Sequence, residues 1–212
     1  IRDRVRTVSA YAVEPTPVAA PPTAVVADMI DRGPIVLYPA MTMRHKNHRT
    51  LFRAFAEATG RRPDLQLVCV GAIGRDHVEI EAAAATLSPR IRMLGHVVTT
   101  DLGALYAAAE LVAFPSLYEG FGLPVLEAQR ARVPVAVSAS TALPEVAGAG
   151  ALLIDPDDID GWIDVMAAPL DAGTRRRLID AGIENQSRYT SEAMAQAQVD
   201  AYRLAARLRA AS

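Results

Sequence analysis

The chain has 212 residues, 51% of them hydrophobic and 22% charged, which suits a soluble globular chain long enough for one full α/β domain or one and a half small ones. A formal net charge of −2 argues against a nucleic-acid-binding surface, which needs a basic excess. The single cysteine, Cys69, excludes a disulfide framework and a cysteine-built zinc site.

Residues 1–34 read as a connector. Thr7 to Val13 suits a short strand, and four of the 14 prolines then fall within residues 15–22. From Ile35 the texture changes, and short apolar runs alternate with helical patterns. Ile35–Tyr38 is the first strand expected. His48 to Gly60 is a helix with Leu51, Phe52 and Phe55 on one face. Leu65–Gly71 is the second strand, and Asp76 to Leu87 a helix capped by Asp76. Arg90–Leu94 gives the third strand, Thr100 to Glu110 a helix, and Leu111–Pro115 the fourth strand. Leu123 to Ala131 is helical; Val133–Ser138 and Ala151–Ile154 complete the strands. Helices follow over Asp158–Ala167, Thr174–Tyr189 and, capped by Ser191, to about Arg209.

Strands that are apolar throughout, with helices between them, imply an α/β fold: a Rossmann-like doubly wound parallel sheet of about six strands with helices on both faces. Ligands of such sheets bind beyond the carboxyl ends of the strands. The loops to inspect are therefore 39–47, 71–75, 95–99, 115–122 and 139–144.

Two of these loops carry chemistry. The first is Met41-Thr42-Met43-Arg44-His45-Lys46-Asn47-His48. It places basic side chains at a helix N-terminus, which suits an anion such as a diphosphate. The plain alternative is a solvated turn with Asn47 as N-cap. Lys46, the only lysine among 22 basic side chains, weighs against that alternative, because a compact ammonium is retained where arginine is otherwise used. His45 and His48 lack a third ligand, so no metal is expected.

The second is Pro115-Ser116-Leu117-Tyr118-Glu119-Gly120-Phe121-Gly122-Leu123-Pro124-Val125-Leu126-Glu127-Ala128. Gly120 and Gly122 admit a close ligand, and Pro124 suits a first helical turn. The amides of Phe121 to Leu123 can face an anion or sugar hydroxyls. A carboxylate such as Glu127 can hold a vicinal diol. Among the remaining residues, Cys69 reads as a buried strand residue, His77 as a helix-surface residue, Arg175–Arg177 as a solvated helix face and Trp162 as core or a helix–helix contact.

Glu119 to Glu127, as Glu-Gly-Phe-Gly-Leu-Pro-x-x-Glu-Ala, resembles the E-x7-E motif of retaining GT-B glycosyltransferases of the group 1, or family 4, type. Tyr38-Pro39-Ala40 with His45–His48, Leu94-Gly95-His96-Val97 with Leu105–Ala109, and Leu143-Pro144-Glu145-Val146 resemble further segments of that family, from about Ile35 to Met166. The resemblance implies roles. Lys46 contacts the donor diphosphate; Glu119 lies by the transferred sugar; Glu127 holds the ribose diol. Gly120, Phe121, Gly122 and Leu123 surround sugar or phosphate, and His96 and Val97 border the base. Glu119 and Lys46 are the implied catalytic pair, with no metal and no cofactor beyond the donor.

The resemblance also implies a GDP- or UDP-sugar donor, a saccharide or lipid-linked acceptor, and no nucleic acid. The expected location is cytoplasmic, with peripheral contact at the inner face of a membrane. Many relatives carry an arginine five or six positions before the lysine; here Met41 and Ala40 stand there, and Arg44 is the expected substitute. A GT-B enzyme has two such domains, and the chain, which opens at Ile1, reads as the second. Residues 1–34 would be connector and the end of a first domain, residues 35–170 the donor domain, and residues 171–212 helices packing toward the first domain. The rival readings are a nucleotide-binding module without activity and a sugar-nucleotide epimerase or phosphorylase of the same fold.

Overall fold

The computed structural model describes residues 21–210. The strand expected over Thr7–Val13 lies outside them. Six strands form one sheet: β1 (Ile35–Pro39), β2 (Gln66–Val70), β3 (Ile91–Gly95), β4 (Ala109–Phe114), β5 (Val135–Ser138) and β6 (Leu152–Ile154). Their order is β3-β2-β1-β4-β5-β6, and every pair is parallel. The doubly wound sheet expected from the sequence is therefore present.

Burial explains the strand sequences. The interior strands β1, β2 and β5 are buried at every residue, so they carry no polar alternation. The edge strands β3 and β6 are partly open. Helices α2 (His48–Ala58), α3 (His77–Leu87) and α7 (Ile159–Ala167) pack together on one face. The other face carries α4 (Thr99–Ala108), α5 (Leu123–Arg130), α6 (Leu143–Ala147) and α8 (Ala172–Gln186). A last helix, α9, spans Ser191–Ala210. Trp162 and Cys69 lie in the core, as expected.

Several local details differ from the sequence reading. The stretch expected as connector contains a helix, α1 (Ala24–Asp31). Pro21 and Pro22 precede its first turn rather than interrupt it, and Val26 and Met29 point into the core. The carboxylate of Asp101 in α4 holds its start, accepting from the Thr23 amide at 2.7 Å and the Thr23 hydroxyl at 2.9 Å. Asp76 does not cap α3 with its side chain; its Oδ2 accepts the Arg44 amide at 2.7 Å instead. At α9 it is the Thr190 hydroxyl that accepts the Ala193 amide, at 3.1 Å. Arg176 and Arg177 are exposed, but Arg175 turns inward and donates to the Glu110 carbonyl at 3.1 Å. His77 is half-buried rather than a surface residue.

A candidate donor site at the sheet switch point

The strand order reverses between β1 and β4, and the loops leaving these two strands flank that point. Both are the loops singled out in the sequence. After β1 the chain makes a short 3-10 turn, Arg44–Lys46, and enters α2. After β4 it runs to Gly122 and enters α5.

The two loops are tied together through backbone. The Leu117 amide donates to the His45 carbonyl at 2.8 Å. Asn47 is a second tie. It is buried, with left-handed φ of 59°. Its Nδ2 donates to the carbonyls of Pro115 at 3.1 Å and Pro156 at 3.0 Å, while its Oδ1 accepts from the Thr50 hydroxyl at 2.8 Å. One side chain thus satisfies carbonyls at the ends of β4 and β6. The Tyr38 hydroxyl donates to the Lys46 carbonyl. Lys46 is held on both sides of its own Cα.

The Lys46 Nζ meets Glu119 Oε1 at 2.6 Å and lies 5.6 Å from the centre of the Phe114 ring. The Lys46 and Glu119 side chains are 15% and 10% exposed, so the pair is poorly hydrated yet reachable. The Thr141 hydroxyl, from the loop after β5, accepts the Glu119 amide at 3.0 Å.

Below Glu119 the loop turns at Gly122, whose φ of 109° suits glycine. A Cβ there would sit 2.7 Å from Leu143 Cδ2. Around Gly120, by contrast, nothing lies within 4 Å of such an atom. Phe121 packs edge-on against Tyr189 at 5.7 Å, and Leu123 is half-buried. The Val125 amide donates to the Gly122 carbonyl at 3.0 Å and is not available to a ligand. Glu127 is half-buried one turn along α5, and the Tyr106 hydroxyl donates to its Oε2 at 2.8 Å.

The structure thus brings Lys46, Glu119 and the Gly120–Leu123 turn to one place. Exposed His96 and half-buried Val97 follow β3, two strands from the switch point. Arg44 is exposed and lines a cavity of about 170 Å³ on the α3 side of the loop, with His48, Asp76 and Glu79. His48 is 2% exposed, and neither ring nitrogen has a hydrogen-bond partner. Burial, and then the Lys46 charge, lower its pKa to about 4, so it stays neutral near pH 7. Among the described residues no group of three or more His, Cys, Asp or Glu side chains is placed to hold a metal ion. Asn47, Tyr38, Thr141 and Tyr106 were not expected at the site. All four lie inside segments that drew attention, but nothing local distinguishes, for example, a bridging amide from a cap.

The family profile of Glycosyl transferases group 1 matches residues 28–185. The chain belongs to this family. It is 41% identical over 115 residues to an O-antigen chain mannosyltransferase B of Escherichia coli, covering 54% of this chain and 30% of that protein. It is 34% identical over 176 residues to a D-inositol 3-phosphate glycosyltransferase of Salinispora tropica, covering 76% of this chain and 36% of that one. Among solved structures, sucrose-phosphate synthase from Thermosynechococcus elongatus superposes with a TM-score of 0.72 at 29% identity, covering 90% of this chain and 50% of that chain. An α,α-trehalose 6-phosphate synthase of Burkholderia multivorans reaches 0.79 at 16% identity, over 95% and 51%, and shows the shared fold. This group 1 chain therefore spans about a third of the curated relatives it matches and about half of the solved ones. Among its described residues no helix is long and apolar enough to cross a membrane.

Proposed function

We propose that this chain is the donor-binding half of a retaining glycosyltransferase, which moves a sugar from a nucleoside-diphosphate sugar to a saccharide or lipid-linked acceptor. The Lys46–Glu119 contact at the switch point carries the reading. A cation and a carboxylate, both largely sheltered, stand where open α/β sheets bind their ligands.

In the reaction the sugar passes through an oxocarbenium-like state while negative charge grows on the departing diphosphate. Lys46 meets that charge, helped by the Leu123 amide and the positive end of α5. Glu119, its cation drawn toward phosphate, faces the sugar. Glu127 accepts the ribose hydroxyls, Gly120 to Leu123 admit the diphosphate sugar closely, and His96 and Val97 border the base. Arg44 supplies a second phosphate contact if its side chain swings over the loop.

Residues 35–170 form the donor domain in this reading, and residues 171–212 pack toward the acceptor-binding part, where exposed Tyr202 and Val199 of α9 find cover. One relative, from Corynebacterium glutamicum, is named a GDP-mannose-dependent monoacylated alpha-(1-6)-phosphatidylinositol monomannoside mannosyltransferase, and that name supports testing GDP first among the diphosphates and a lipid-linked acceptor among the acceptors.

Calorimetric titration of the chain with GDP, UDP and ADP tests the reading. One diphosphate is bound selectively, and Lys46→Ala and Glu127→Ala each weaken it by about tenfold or more. Arg44→Ala weakens it less. Equal, weak binding of all three, or full affinity in both variants, overturns the assignment.

A further inference from the structure

Tyr106 and Glu127 lie 21 residues apart, on α4 and α5. Tyr106 is buried, and its hydroxyl has two acceptors in reach: Glu127 Oε2 at 2.8 Å and the Pro124 carbonyl at 3.4 Å. A phenol has one proton. The shorter contact to a charged acceptor takes it. Burial and the Glu127 charge push the phenol well above its ordinary pKa, so it remains a donor at any physiological pH.

A carboxylate on a helix otherwise rotates freely about its last bond. To accept from two neighbouring hydroxyls at once, its plane must be set before the ligand arrives. The Tyr106 bond sets it and uses one lone pair of Oε2. Oε1 and the second lone pair of Oε2 remain for a diol. We propose that Tyr106 is the positioning residue that fixes the Glu127 carboxylate plane, and that this bond is what makes the site prefer ribose over 2′-deoxyribose. The inference rests on reading Glu127 as the diol acceptor. The same bond joins the site to α4, which begins directly after His96, Val97 and Val98. The loop expected at the base and the carboxylate expected at the ribose therefore share one strut.

The test compares GDP, UDP and ADP with their 2′-deoxy counterparts by calorimetry, on the wild-type chain, Tyr106→Phe, Glu127→Ala and the double variant. The wild type prefers the ribose form of the diphosphate it binds best. Tyr106→Phe lowers that preference about fivefold and weakens the 2′-deoxy form, which keeps only its 3′-hydroxyl for Glu127, much less than the ribose form. In the Glu127→Ala background the same change has no further effect, since Tyr106 acts through Glu127. Tyr106→Phe overturns the proposal if it keeps the wild-type preference, or if it weakens both forms equally, as a merely structural residue would. Should the wild type not distinguish ribose, or bind no diphosphate, the reading of Glu127 fails first and takes the proposal with it.

Discussion

Lys46 Nζ and Glu119 Oε1 stand 2.6 Å apart although 73 residues separate them in the chain. One leaves β1, the other β4, and the sheet changes direction between these strands. The contact neutralises two charges that are both largely withdrawn from solvent, at 15% and 10% exposure.

Removing one partner leaves the other charge sheltered and unpaired. Lys46→Ala and Glu119→Ala each destabilise the fold by roughly 1–2 kcal/mol, and the double variant costs less than the sum of the two. Urea unfolding of the four proteins measures the coupling. Strict additivity would mean that the pair contributes nothing in solution.

Asn47 joins the ends of β4 and β6 while sitting at a φ of 59°. Asn47→Gly keeps the backbone conformation and loses the bonds. Asn47→Ala loses the bonds and adds strain. We expect Asn47→Ala to be the less stable by about 1 kcal/mol, and both to fall below the wild type by more than that. Thermal melting ranks them; a wild-type melting temperature in Asn47→Gly sinks the bridging role.

His48 makes the fold sensitive to acid. Its pKa is about 4 in the folded chain against 6.5 for a free imidazole. Between those values the unfolded chain binds more protons. Stability is therefore full above pH 6.5 and falls as the pH drops toward 4, by up to roughly 3 kcal/mol. His48→Phe places an apolar ring between Tyr38 and Phe52, whose centroids are 4.8 and 5.7 Å from the imidazole. Its urea midpoint should change less between pH 7 and pH 4.5 than that of the wild type, and parallel profiles for the two would refute the assignment.

The two loop glycines separate structural from ligand constraints. Gly122→Ala meets Leu143 at 2.7 Å in a strained conformation and destabilises by about 1–3 kcal/mol. Gly120→Ala meets nothing within 4 Å and leaves stability within about 0.5 kcal/mol of the wild type. Any loss of nucleotide-diphosphate affinity in Gly120→Ala then reports a ligand passing close to that backbone. Unchanged affinity would place the donor elsewhere.

Much of the architecture is legible along the chain. The runs Ile35–Tyr38, Leu67–Val70 and Leu111–Phe114 are apolar on both sides because both faces of the sheet are covered, and that continuity announces a parallel sheet. The helix Ala24–Asp31 was not legible. Nearby prolines mask a short amphipathic pattern whose burial depends on contacts with Asp101 and Gln66 far along the chain. The Asp76 cap differs from expectation for a related reason. Cap residues are defined by which amide they meet, and Asp76 finds a better one in Arg44 across the fold.

Local periodicity and residue type determined the six strands, most helix positions and the two loops that carry Lys46, Glu119 and Glu127, since these are set by contacts within a few residues. Only the tertiary structure decided which charges meet. Strand order places the ends of β1 and β4 side by side, and α4 beside α5, which brings Lys46 to Glu119 and Tyr106 to Glu127. Those pairings depend on how the crossovers fold the sheet, and no local run of residues encodes them.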